Sequence, residues 1–262
     1  MFFSKVGEYE ACGIFTIEHM ILIIITIISI VIGLKNTIHK SKKEIKNIIK
    51  GCTISICFFE IVIIAFKLNT GSIKDINNYV PLYYCSILLY AGLLSSFGKG
   101  KLERTGNIFL ATGGIIGGLI FLIFPTTSLS MYPMLHLVSI HSFIFHGIML
   151  YLGVLVNVTN YIELKKKDII YYMVLVGIIC ALAYIVNSIF GSNLMFISQN
   201  FPGMPIEILY DLTGKLFTPV MIIAQITLPF VIIYLIRDKV KISSLIGEKG
   251  VKEEKRYSRI EG

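Results

Sequence analysis

The residues with chemistry to offer in this chain are a thiol, several imidazoles, carboxylates and an amine that fall within long apolar runs. Glu18, His19, Glu60, Cys85, His136, His141, His146, Asp211 and Lys215 all open or interrupt such runs. An ionisable group at the centre of a membrane span costs at least about 2.5–3.5 kcal/mol, so each one needs a reason to be there. Buried carboxylates and imidazoles can pass protons or bind a solute, and an amine or imidazolium can hold an anion. Taken singly, each residue also has a plain structural reading. A membrane cysteine is a small apolar side chain, and an intramembrane histidine bonds one helix to another. Glu60 reads as a lock against Lys215 or a histidine, and Asp211 and Lys215 read as solvated interfacial groups. Their common depth is what argues for a site.

That depth follows from the elements that carry them. The chain has 262 residues, of which 55% are hydrophobic and 15% charged, against about 25% charged in a soluble domain. Mean hydropathy is +0.78. Apolar runs at 17–35, 48–67, 79–97, 106–124, 135–157, 169–190 and 210–236 each approach the ~20 residues needed to cross ~30 Å of hydrocarbon as a helix. Runs of this length in lipid must satisfy their own backbone groups, so the Ile-rich composition predicts helices, not strands. The expected fold is an all-α, polytopic bundle of seven spans over 17–236. It is preceded by an extracytoplasmic segment, 1–16, and followed by a basic cytoplasmic tail, 237–262.

Orientation comes from the lysines and arginines. Twenty of the 24 lie in 36–47 with its flanks, 98–105, 158–168 and the tail, which places those segments in the cytoplasm and the N-terminus outside. The net charge of +8 is therefore a membrane signal and gives no reason to expect nucleic acid. The tail reads as a solvated anchor on anionic lipid. Five cysteines without a C-x-x-C pair argue against a disulfide scaffold and a zinc site, and the N-terminus lacks the basic n-region of a cleavable signal peptide.

With this topology Glu60, Cys85, His136, His141, His146, Asp211, Lys215, Glu18 and His19 come from five spans and share the outer leaflet, as the lining of a cavity would. On a helix turning about 100° per residue, Asn78, Pro81, Cys85, Gly92 and Ser96 share one face of the third span. Ser139, Ser142, His146, Gly153 and Asn157 form one stripe on the fifth. His141 lies about 140° from His146, so the two cannot face the same site, and His146 is the better placed to face the interior. Asp211 and Lys215 have the spacing of an i, i+4 ion pair. Gly113, Gly114, Gly117 and Gly118 are interleaved G-x-x-x-G pairs, expected to pack inside the chain in preference to dimerising it.

Several of these residues stand in recognisable motifs. Val80–Ile87 (VPLYYCSI) resembles the L-P-L-H-x-C-S motif of the bacterial YwaF-like integral membrane proteins, which share a fold family with eukaryotic multispan lipid acyltransferases. Thr16-Ile-Glu-His19, Glu60, Ser142-Phe-Ile-Phe-His146-Gly, Asn193-Leu-Met-Phe and Tyr210-Asp211-Leu-Thr-Gly214 resemble further family segments, in order, over most of 14–236. The chain departs from the pattern at Tyr84 and at Lys215–Pro219, which bears on substrate choice more than on fold. The resemblance implies a cysteine-dependent acyl transfer on phospholipids in the bacterial cytoplasmic membrane, with Cys85 matching the nucleophile and His146 the base.

In that chemistry Cys85 attacks a phospholipid ester and the acyl group passes to a lysophospholipid or to water. Glu60 or Asp211, with His141 and His136, would orient the base. Lys215, His19 and Asn193 would bind substrate, and 191–209 would serve as a lid through Gly191, Pro202, Gly203 and Pro205. No cofactor or metal is expected, and the protein is expected as a monomer or homodimer. The competing classes are a transporter or solute-binding module using Glu60, Asp211, Lys215 and the histidines, and a non-catalytic scaffold.

Overall fold

A computed structural model describes the backbone of residues 1–70, 76–201 and 204–257; Pro202 and Gly203 of the expected lid and the end of the basic tail, 258–262, lie outside the described residues. The fold is all-helical: α1 (Ile17–Thr37), α2 (Lys42–Thr70), α3 (Ile87–Phe97), α4 (Lys101–Ala111), α5 (Gly113–Ile123), α6 (Leu137–Val158), α7 (Ile169–Phe190), α8 (Pro205–Thr213) and α9 (Phe217–Tyr257). Among the described residues six stretches are long and apolar enough to cross a membrane, with α4–α5 and α8–α9 each counting as one, and α3 is a shorter apolar helix. Contacts sort the connections to two ends. At one end the N-terminal segment meets 129–137 and Asn193 meets Asn77. At the other, Lys46 pairs with Glu103, Arg104 with Asp168, and Arg237 reaches the Ile162 carbonyl.

Three of the expected spans are not continuous helices. The run at 79–97 is helical only from Ile87, and 11 residues rise about 17 Å, half the hydrocarbon thickness. Val80 precedes a proline and is disfavoured in the helical region, and the Tyr83 and Tyr84 rings lodge against other elements. Phase along a helix therefore does not relate Asn78 and Pro81 to Gly92 and Ser96. The last two do face α2, where a Cβ on Gly92 would sit 2.6 Å from Thr53 Oγ1, and Ser96 Oγ is 3.4 Å from the same atom.

The fourth run breaks at Thr112 (φ −123°, ψ −78°), which separates α4 from α5. The Ala111 carbonyl accepts from Asn157 Nδ2 of α6 at 2.7 Å, so the break leaves that acceptor satisfied. The seventh run breaks at Gly214, whose φ of +51° divides α8 from α9 and suits a residue without a Cβ. The expected i, i+4 pair of Asp211 and Lys215 fails for this reason. Both side chains are exposed and make no ion pair with each other.

The glycines of α5 are filled from within the chain. Cβ atoms on Gly113 and Gly117 would run into Phe109, Tyr84 and Met149, and one on Gly118 into Leu150 and the His146 carbonyl. Gly106 permits an equally close crossing of α3 and α4, beside the Ser95–Asn107 side-chain hydrogen bond. A methyl there would clash with the Ala91 carbonyl oxygen and the Ser95 backbone. Gly106→Ala should therefore lower stability in detergent by about 1–3 kcal/mol. Gly51→Ala, at a helical glycine with open space around it, should hold or gain slightly. Identical melting of the two variants would contradict the close crossing.

Candidate functional site

Cys85 occupies the turn immediately before α3, not the helix itself, and is partly buried. Its sulfur lies against its own N–H and against the N–H and hydroxyl of Ser86. The turn winds into α3 through Ile87, Leu88 and Leu89, whose N–H groups donate to the carbonyls of Tyr84, Cys85 and Ser86. The positive end of the α3 dipole is thus directed at the thiol. Tyr90 closes the turn from below by donating its hydroxyl to the Pro81 carbonyl at 2.9 Å.

Glu60, on the face of α2 that also buries Thr53, Ile56 and Ile63, is within electrostatic reach of both Cys85 and Tyr90. Its Oε2 lies 3.7 Å from His141 Nε2 of α6. That nitrogen is buried and has no hydrogen-bond partner. Cys85, Glu60 and His141 therefore bring α3, α2 and α6 to one place, with Lys67 in the last turn of α2 in electrostatic reach of Glu60 and His141.

His146 lies one turn and a half further along α6 and faces another neighbour. Its ring stacks on Phe121 of α5 at 3.6 Å between centroids, with the planes 8° apart. Nδ1 lies 2.7 Å from the Ser142 carbonyl. A carbonyl only accepts, so Nδ1 carries the proton and Nε2 keeps its lone pair. The two imidazoles are within electrostatic reach of each other, although they face different helices, as their angular offset requires. The stripe that holds His146 is largely spent on helix contacts: Gly153 lies on Ile115, and Asn157 ties Ala111.

The remaining residues singled out in the sequence lie elsewhere. His19 is fully buried: Nδ1 accepts from the Phe15 N–H at 3.0 Å, and Nε2–H donates to the Leu122 carbonyl at 2.9 Å. His136 caps α6, with Nδ1 accepting from the Val138 N–H and Nε2–H donating to the Ser4 carbonyl at 3.0 Å, under a stacked Tyr132 ring. Neither has a nitrogen left for substrate or for orienting another group. Asn193 organises its own loop, accepting from the Ser198 and Gln199 N–H groups and donating to the Gln199 carbonyl.

Other polar residues shape the neighbourhood of Cys85 without having been singled out. Tyr84 OH meets Tyr172 OH at 2.7 Å, Tyr172 donates to the Gln225 carbonyl, and Gln225 Nε2 donates to the Met195 carbonyl. Met195 and Phe196 both hold positive φ (58° and 53°), and the Phe196 ring lies on Tyr83. Asn187 binds Ser192, Leu194 and Ser198 at once. The available signal was an amide side chain within an apolar run, the same rule that picked out the charged residues. No group of three His, Cys, Asp or Glu side chains among the described residues is arranged to hold a metal.

The fold and this polar centre define a multipass α-helical membrane protein. A model of the TMEM164 family matches residues 14–237, and the chain belongs to that family. No curated protein and no solved structure gives a significant match.

The two backbone-bound histidines make a testable strap. The N-terminal segment docks through Cys12 and Gly13 N–H to the Tyr132 and Leu129 carbonyls, through the Phe2 carbonyl to Leu137 N–H, and through Ser4 to His136. His136, just outside the span Leu137–Val158, must be neutral at Nδ1 to cap α6. Burial holds its pKa below the ordinary imidazole value, helped by the nearby N-terminal amine and opposed by the bond to Ser4. The docked state then binds fewer protons than the open one, whose imidazole titrates near ~6.5. Docking is complete above that pH and weakens as pH falls through it. Amide exchange of residues 1–13, corrected for intrinsic rate, should quicken between pH 7.5 and 5 and lose this dependence in His136→Asn. A wild-type profile flat over that range would refute the strap.

Proposed function

We propose that this protein is a membrane-embedded acyltransferase or lipid hydrolase that opens phospholipid acyl esters through a thioester on Cys85. The observation that carries the reading is the position of the thiol. It sits in a turn at the head of a half-length helix, within electrostatic reach of Glu60, whose carboxylate faces His141. A second imidazole, His146, lies one turn and a half further along α6. Membership of a multispan membrane family and the likeness of its motifs to those of YwaF-like proteins and multispan lipid acyltransferases support it. The charge distribution supports an external N-terminus, which puts the site in the outer half of the bilayer, where lipid esters lie.

A thiol is a weak nucleophile until ionised, and burial makes ionisation harder. His146, with its Nε2 lone pair available, accepts the thiol proton, and the α3 dipole and the N–H groups of Cys85 and Ser86 favour the thiolate. The sulfur attacks the ester carbonyl carbon. The tetrahedral intermediate collapses with breakage of the C–O bond, leaving a Cys85 thioester, and the imidazolium returns its proton to the lysolipid alkoxide. A lysolipid hydroxyl or water then attacks the thioester, giving up its proton to the imidazole and restoring the thiol. Glu60 and His141 set the local field and supply a second proton carrier next to the first.

Purified protein mixed with dioleoylphosphatidylcholine should acquire a hydroxylamine-sensitive acyl mass that is absent from Cys85→Ala. In His146→Ala the rate of acylation should fall by about 10²–10⁴, the usual worth of a general base. Full lipid remodelling by Cys85→Ala would end the proposal. The buried Glu60–His141 pair is also what a proton-coupled solute carrier would need, and that reading predicts flux that depends on Glu60 and ignores Cys85.

A further inference from the structure

We propose that Lys67 is the residue that receives the phosphate of a glycerophospholipid substrate, and so sets a preference for phosphate-bearing lipids over neutral glycerides. The proposal rests on the acyl-transfer reading of Cys85 and names the part of the substrate that this site reads first.

Lys67 and Glu60 are seven residues apart on α2, two turns less about 20°, so they lie on one face. That face is the inward one, which buries Thr53, Ile56 and Ile63. Along the axis Lys67 stands about 10 Å beyond Glu60, toward the end of the bundle that carries the N-terminal segment. Glu60 in turn is within electrostatic reach of Cys85. The column on α2 thus reads, from the membrane surface inward, an amine, then a carboxylate paired with an imidazole, with the thiol beside them.

A glycerophospholipid presents the same order, its phosphate at the surface and its ester carbonyls deeper by the length of the glycerol unit. When an ester carbonyl reaches Cys85, the phosphate is drawn toward the depth of Lys67. An ammonium at the end of a four-carbon stem is a flexible point charge suited to a phosphate whose headgroup varies. The other cationic groups expected to bind substrate are placed differently: Lys215 is exposed beyond the Gly214 break, and His19 has both ring nitrogens bonded to backbone.

The test separates binding from chemistry. Cys85→Ser protein in nanodiscs holding equal amounts of dioleoylphosphatidylcholine and dioleoylglycerol is analysed by native mass spectrometry, with and without Lys67→Gln. The ratio of bound phospholipid to bound glyceride should fall about tenfold in Lys67→Gln, the worth of one charge-assisted contact, and recover in Lys67→Arg. In protein with Cys85 intact, the same variant should raise KM for the phospholipid and leave kcat within about twofold, as loss of uniform binding does. An unchanged ratio in a Lys67→Gln protein that melts like the parent overturns the proposal. So does complete displacement of the phospholipid by inorganic phosphate, which would mark a site for the free anion. If Cys85 forms no acyl adduct, the catalytic reading falls while the binding ratio still decides the role of Lys67.

Discussion

Inside a bilayer no water is at hand to take up a free N–H or carbonyl, and this constraint governs where the chain can leave its helices. It does so at the approach to α3, at Thr112, in the stretch between α7 and α8, and at Gly214. At the first three, side chains from other parts of the fold close the account. Tyr90 holds the Pro81 carbonyl, Asn157 holds that of Ala111, Asn187 holds both backbone groups of Leu194, and Gln225 holds the Met195 carbonyl. Irregular backbone at membrane depth is tolerated only where protein surrounds it, so these three breaks mark the interior of the bundle and the candidate site lies among them, whereas Gly214 breaks the chain at an exposed position.

The same breaks depend on close helix approach. Tyr84 fits the groove over Gly113 and Gly117 only because those residues lack side chains, and from there its hydroxyl reaches Tyr172. Anchoring Tyr84 fixes the turn that holds Cys85. At the opposite end the fully buried Asp168 is met by Arg104 through two nitrogens and by the Lys165 N–H, so the connections of α4 and α7 are locked where the lysines gather. The bundle thus has one end tied by ion pairs and another, irregular and stitched by amide side chains, that holds Glu60, Cys85 and His141.

The helical membrane class and most of the spans were legible in the sequence because hydropathy and length suffice for them. The breaks were not, because two 11-residue helices such as α4 and α5 add to the length and apolarity of one span. Val80–Pro81 was the exception: the restriction before proline argued against a helix starting at Tyr79. The expected Asp211–Lys215 pair assumed a continuous helix, and Gly214 removed the assumption. Lys67, at the end of the run 48–67, was not singled out, although its seven-residue spacing from Glu60 already placed both on one face. Asp168 was hidden among lysines, where an acid reads as a solvated neighbour, yet it is the buried partner of Arg104.

The histidines show how a role can be assigned once hydrogen bonds are counted. An imidazole in lipid is costly whether it braces helices or moves protons, and depth alone does not separate the two. Bonding does. His19 and His136 have both nitrogens committed to backbone groups, so neither has a nitrogen left to act. His146 has one nitrogen committed to the Ser142 carbonyl, which fixes its tautomer and leaves the other to act. His141 has a buried, unpartnered Nε2 facing a carboxylate just beyond hydrogen-bond distance. A buried polar atom without a partner carries a penalty of about 1–3 kcal/mol, which packing alone gives no reason to retain. The fully bonded imidazoles lie toward the strapped end of the bundle, whereas the buried, unpartnered Nε2 of His141 faces Glu60. That contrast points to the meeting of α2, α3 and α6 as the place where proton movement is least obstructed.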